Sequence, residues 1–345
     1  MGIILDWDKY ERTLANAFAV RLPIPYIVSG LFALPSLNVV YGHPSCLKSL
    51  LLADMLVCVA AGIPWLEKAP WETKALLPFN TNQNSVMWLD FDNGQNRTDN
   101  RFEALGKQYG LHTTAPLFYY SMPSPILNAS MTGHIMDLID LVKYKNVGLL
   151  VVDNLSTISG NRDENTHEML QVMTNLRLLA ERTGAAIIVI HHSRKDTWGS
   201  KGKPGDNLRG FSGIAGALDV ALFIDREPGS NIVTVTATKS RDVDINTFGA
   251  TFTYVNKVGC HDLEKCRFYG TAVVGGQVCD QEIEDEISAV LNASGCGLTQ
   301  TKLVAEVKKT IKAGEKRVIQ IVKIMASQGL ISMTQGNRGA YVYSI

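Results

Sequence analysis

Up to about residue 240, short apolar runs alternate with longer helical patterns. Leu37–Tyr41, Ser85–Leu89, Val147–Val152 and Ala185–Ile190 are too short for helices and rich in β-branched side chains, which predicts strands buried on both faces. Between them the pattern predicts helices over Lys48–Gly62, Arg97–Tyr109, Ile135–Lys143 and Thr166–Thr183. The first is almost wholly apolar and stops at Gly62-Ile63-Pro64. Buried strands alternating with helices make a parallel α/β sheet. Leu117–Ser121, bracketed by prolines, reads as an extra strand. Val220–Ile224 and Ile232–Thr238 read as a meander at one sheet edge. Residues 1–36 read as a polar helix followed by a Pro-rich lead-in.

The pattern changes near Gly275–Glu286. Helices are expected over Glu284–Ser294, Leu298–Lys309 (Thr299 as N-cap) and Ala313–Gln328, and strands over Gly329–Met333 and Ala340–Tyr343. Three helices and a hairpin describe a winged helix. The expected division is an α/β domain over 1–275, a linker over 276–286 and a winged-helix domain over 287–345. A length of 345 residues suits about two domains at roughly 150 each.

Composition narrows the class. With 46% hydrophobic and 19% charged residues, the chain is neither disordered, collagen-like nor a small disulfide scaffold. The longest uncharged stretches are broken by prolines or rich in Ser, Thr and Asn, so no membrane partner is expected. The first residues lack a secretory pattern, and six scattered cysteines without a CxxC pair fit a reducing, cytoplasmic setting. Net charge is zero but uneven: residues 287–345 carry eight Lys/Arg against two Glu. That places any attraction for polyanions in the tail.

The chemistry gathers just past the carboxyl ends of strands, where α/β sheets bind ligands: Gly42, Asp92, Asp153 and His192 all fall there. Gly42-His43-Pro44-Ser45-Cys46-Leu47-Lys48-Ser49-Leu50 runs from a strand into a helix, the context of an ATP phosphate loop. Backbone N–H groups and the helix N-terminus would hold phosphates, Lys48 would reach the β and γ oxygens, and Ser49 would ligate Mg²⁺. Leu47 stands where the usual motif has Gly, and an ordinary strand-to-helix turn has the same outline.

Asp153 is placed to hold the magnesium's water shell, or simply to cap the next turn. Asp92 is the candidate for orienting and activating water; Asp90 lies closer to the strand body. His192 is a candidate γ-phosphate contact or a core histidine. Lys239 and Arg241 share a face at a strand end and could stabilise phosphoryl-transfer charge in a neighbouring subunit, or form an exposed edge pair.

From about residue 27 to 245, the segments YGHPSCLKSLLLA, VMWLDFDNGQNRTDNRFEAL, LLVVDNLSTISG, IIVIHHSRK, LRGFSGIAGALDVALFI and TATKSRD occur in an order that resembles the RecA-fold hexameric helicase ATPases. The resemblance is to the RepA-like plasmid and phage type, with features of DnaB-type ATPase domains. It implies a RecA-like P-loop core in a homo-hexameric ring that binds ATP and Mg²⁺. It implies Lys48 and Ser49 as the phosphate-loop pair, Asp153 as the metal carboxylate, His192 as sensor, and Lys239 with Arg241 as the trans-acting pair. Asp92 stands where most members carry Glu, which implies slow hydrolysis or ATP acting as an assembly switch.

The resemblance also implies two channel-facing loops, here Ser156–Asn165 and Arg194–Gly210. The second holds Arg194, Lys195, Lys201, Lys203 and Arg209 among glycines, a composition suited to gripping single-stranded DNA or to a plain solvated loop. The winged helix would direct Lys316, Arg317 and Lys323 to duplex DNA, or dock protein instead. Three functions stay open: a translocating helicase, a DNA-binding initiator ATPase that does not unwind, or a relative of the recombination or clock-type RecA proteins that forms filaments or signalling rings without unwinding.

Overall fold

The computed structural model describes residues 7–20, 22–73, 76–160, 167–192, 216–273, 280–295, 297–311, 315–327, 329–335 and 341–344. A short helix α1 (Leu14–Phe18) leads to a small hairpin, β1 (Tyr26–Val28) and β2 (Phe32–Ala33), and then to β3 (Ser36–Gly42) and α2 (Lys48–Ala61). There follow β4 (Ser85–Asp90), α3 (Gln95–Tyr109), β5 (Leu117–Ser121), α4 (Thr132–Tyr144), β6 (Val147–Asp153), α5 (Leu155–Ile158), α6 (His167–Thr183) and β7 (Ala186–His192). Four strands come next: β8 (Val220–Asp225), β9 (Ile232–Ser240), β10 (Phe248–Asn256) and β11 (Leu263–Thr271). The C-terminal elements are α7 (Asp280–Ser294), β12 (Leu298–Thr299), α8 (Gln300–Thr310), α9 (Glu315–Ser327), β13 (Ser332–Gln335) and β14 (Tyr341–Ser344).

One nine-stranded sheet runs β11-β10-β9-β8-β3-β7-β6-β4-β5. It is parallel from β8 through β5 and antiparallel from β8 to β11. Every residue of β3 and β6 is buried, as the continuous apolar runs require. One sheet face packs on α2 and α3 through Leu52, Leu56, Phe102 and Leu105, the other on α4 and α6 through Ile135, Ile139, Val172 and Leu176.

The sheet is larger than the sequence pattern indicates. The 220–238 meander is not at the edge, because β10 and β11 extend beyond it. Their buried apolar residues come two apart, at Ala250 and Phe252 and at Cys266 and Phe268, so the signal is alternation rather than a run. The lead-in is also partly core. Ile27, Val28, Leu31 and Phe32 are buried around a tight turn at Gly30, whose φ of 72° suits glycine.

The C-terminal helices share a separate core that includes Ile287, Leu303, Val322 and Tyr343, beside a three-stranded sheet in the order β12-β14-β13. α7 begins at Asp280, inside the expected linker, because Ile283 belongs to this core. Leu298 and Thr299 pair with β14, so the next helix starts at Gln300, and Thr299 takes the N-cap position without a side-chain bond. Among the described residues, no helix is long and apolar enough to cross a membrane.

Candidate functional site

Parallel register aligns the strand tips. Gly42 pairs with His192, and Asp90 with Asp153, so the loops following β3, β4, β6 and β7 open at one end of the sheet. Gly42 is a packing requirement: a Cβ there would lie 2.2 Å from the Ile224 carbonyl oxygen of β8. Beyond it Ser45 and Leu47 are both left-handed, with φ of 66° and 61°. Left-handed residues in such a turn build an anion-binding nest of backbone N–H groups, here just before the α2 N-terminus.

Pro44 and Ser45 are exposed, Cys46 is buried, and Leu47 and Leu50 are half-buried against the core. The Lys48 ammonium is buried and donates to the Gly42 and His43 carbonyls at 3.0 and 2.6 Å. Burial lowers its pKa, against the opposing pull of Cys46, Asp153 and Asp92.

Ser49 Oγ donates to Asp153 Oδ2 at 2.7 Å, and Asn93 Nδ2 donates to the same oxygen at 3.2 Å. Asp153 is buried at the end of β6, and burial raises its pKa to about 6. Its other oxygen, Oδ1, is buried with no hydrogen-bond partner. A buried acceptor left unmatched beside a serine hydroxyl fits a hydrated divalent cation.

Asp90 is fully engaged. It accepts from the backbone N–H groups of Asp92, Asn93 and Gly94, from Asn93 Nδ2, and from the Thr98 and Ser121 hydroxyls. Although burial opposes ionisation, these donors hold its pKa down at about 2, and it caps the turn into α3. Asp92 in that turn is exposed, yet its charge acts on Lys48, Asp153 and His192 together, which locates it in the same cleft. Burial, followed by Lys48, lowers the His192 pKa, and its Nδ1 is buried without a hydrogen-bond partner.

Lys239 and Arg241 do not join this cleft. β9 is antiparallel to β8, with Ser240 opposite Val220, so the pair lies at the amino-terminal end of the parallel strands. β10 pairs with β9 over Ile232–Val235, so among the described residues the Lys239 end of β9 has no strand beyond it, as in the edge-pair alternative. Arg194, Lys195, Lys201, Lys203 and Arg209 lie outside the described residues. Lys316 and Arg317 fall in α9, and their side chains also lie outside the description. The first expected channel loop begins as the helical turn α5, capped by Asn154 Oδ1 accepting from the Thr157 N–H.

Three site groups went unnoticed in the sequence. Arg101 on α3 is coupled to Asp153, Asp90 and Asp92. Arg226, in the β8–β9 turn, donates to the Ser45 carbonyl at 2.8 Å. Asn93 bridges Asp90 and Asp153. Only Asn93, adjacent to Asp92, carried a local signal.

A family model described as an AAA domain matches residues 9–197. Among solved structures, the chain is similar to the RadB recombinase, at 15% identity and a TM-score of 0.43, over 63% of this chain and 88% of that one. It is also similar to a DnaB-like replicative helicase solved for its interactions with primase, at 14% identity and a TM-score of 0.49. That match covers 64% of this chain and 55% of the helicase, so it spans about half the helicase's length. No curated protein sequence matches the chain.

Proposed function

Because the chain belongs to the AAA-domain family, we propose that it is an ATPase of the RepA-like helicase type, working as a ring, six subunits being the expected number, on single-stranded DNA. The observation that carries this reading is the division of the machinery. Lys48, Ser49, Asp92, Asp153 and His192 meet at one end of the sheet, while Lys239 and Arg241 stand at the other. A subunit built this way can complete only another subunit's site.

In this reading Lys48 exchanges the Gly42 and His43 carbonyls for phosphate oxygens, and the nest at 45–47 cradles the phosphates. Ser49 and Asp153 would hold magnesium, which neutralises phosphate charge when bound. Asp92 orients the attacking water and takes its proton, and His192 hydrogen-bonds the γ-phosphate. Arg241 of the adjacent subunit stabilises the charge that develops on the transferring group. Single-strand contact is assigned to Arg194, Lys195, Lys201, Lys203 and Arg209, and the C-terminal unit is read as a winged helix that approaches duplex DNA through Lys316 and Arg317.

The test is a forked DNA substrate with ATP. Strand separation and turnover that both vanish in Lys48→Ala support the motor, and native mass with and without ATP reports the ring. The compact core of the C-terminal unit favours a second reading, an initiator ATPase in which ATP controls assembly on a chosen DNA site. ATP-dependent duplex binding without strand separation would select it.

A further inference from the structure

At the amino-terminal rim of the parallel strands, two guanidinium groups converge on one carboxylate, with an ammonium beside them. Arg177, on α6, meets Asp219 with two nitrogens: Nη2 donates to Oδ1 at 2.9 Å, and Nη1 lies 2.8 Å from Oδ2. Arg241 Nη1 lies 3.4 Å from Oδ1. Arg241 Nη2 and Lys239 Nζ both donate to the Gly216 carbonyl, at 3.0 and 3.5 Å. The carboxylate is itself anchored, because Asp219 Oδ2 accepts from the Leu37 N–H at 2.8 Å and the Asp219 N–H donates to the Leu37 carbonyl at the same distance. Asp219 is thus tied to the start of β3, the strand whose far end is Gly42.

The contacts are unequal. Arg177 forms a short, paired bridge with a side chain 25% exposed; Arg241 forms a single long one with a side chain 50% exposed. The first is a fixture of the fold, whereas the second restrains a guanidinium that still faces outward. Without the carboxylate, Arg177, Lys239 and Arg241 would repel one another across this rim.

The geometry points to Asp219 as a positioning residue that aims the Lys239/Arg241 pair at the neighbouring subunit's nucleotide. This rests on the shared-site reading above. Asp219 touches no substrate; it acts through Arg241.

Subunit mixing tests it. Asp219→Asn keeps an acceptor for the Leu37 N–H but removes the charge, and should lower kcat roughly 10- to 100-fold, as a misaimed group does, with KM for ATP little changed. Its own Lys48 site is intact, so adding inactive Lys48→Ala protein, whose Asp219 and Arg241 are intact, should restore turnover. Asp219→Glu keeps the charge, shifts it by one methylene and should show a smaller loss, restored in the same way; it also serves if the Asn variant fails to fold. Wild-type kcat in both variants, or a loss that Lys48→Ala does not relieve, overturns the role of Asp219. Arg241→Ala run in parallel separates the two ideas. If it keeps full turnover, or if mixing it with Lys48→Ala restores none, the shared-site reading itself fails.

Discussion

Leu47 holds a left-handed conformation that a side chain resists, at a cost of about 1–2 kcal/mol. It also packs on the core, so deleting the side chain sacrifices contacts. Comparing two truncations isolates the backbone cost. Leu47→Gly should be more stable than Leu47→Ala by about 1 kcal/mol in urea, reversing the usual order for a helix. Asp54 of α2 carries a second residue-scale effect. It is fully buried and accepts from Trp65 Nε1, Tyr109 Oη and the Phe268 N–H. Burial outweighs these donors and raises its pKa to about 7. The folded chain therefore keeps a proton that the unfolded chain has lost above its ordinary carboxylate value, and stability falls as pH rises from about 4 to 7. The fall approaches about 4 kcal/mol. Asp153 adds to it in the same direction up to about 6. Urea midpoints for the nucleotide-free protein should be higher at pH 5 than at pH 8, with most of the difference gone in Asp54→Asn. A flat wild-type profile would contradict this.

Among the elements, the glycines of two central strands do different work. At Gly42 an added methyl meets the backbone oxygen of Ile224, which cannot move without parting β3 from β8. At Gly148 the nearest atoms belong to the side chain of Asn84, which can rotate away. Gly42→Ala should cost about 3 kcal/mol and Gly148→Ala about 1, read from denaturant midpoints. The same contrast between run and alternation governs what the sequence revealed. β3, β4, β6, β7 and their helices were legible because burial on both faces leaves an unbroken apolar run. β10 and β11 were not, since their buried apolar residues are interrupted by Thr in β10 and by Lys and Arg in β11.

For the molecule as a whole, residues next to a strand end were easy to find, and residues brought in from elsewhere were not. Gly42, Asp92, Asp153 and His192 follow from where apolar runs stop. Arg101, on a helix face, is within the field of Asp153, Asp90 and Asp92, and Arg226 reaches Ser45 across 181 positions, so only folding brings them there. The separate C-terminal core yields its own prediction. Ile287→Ala should weaken that unit by about 3 kcal/mol in melting, while DNA-independent ATP turnover stays intact. The reversal of β9 against β8 reaches furthest. By sending Arg241 to the pole opposite Lys48, it makes a solitary copy, on the proposed reading, an incomplete catalyst. Activity per molecule should then climb with protein concentration and fade on dilution, before any nucleic acid is added.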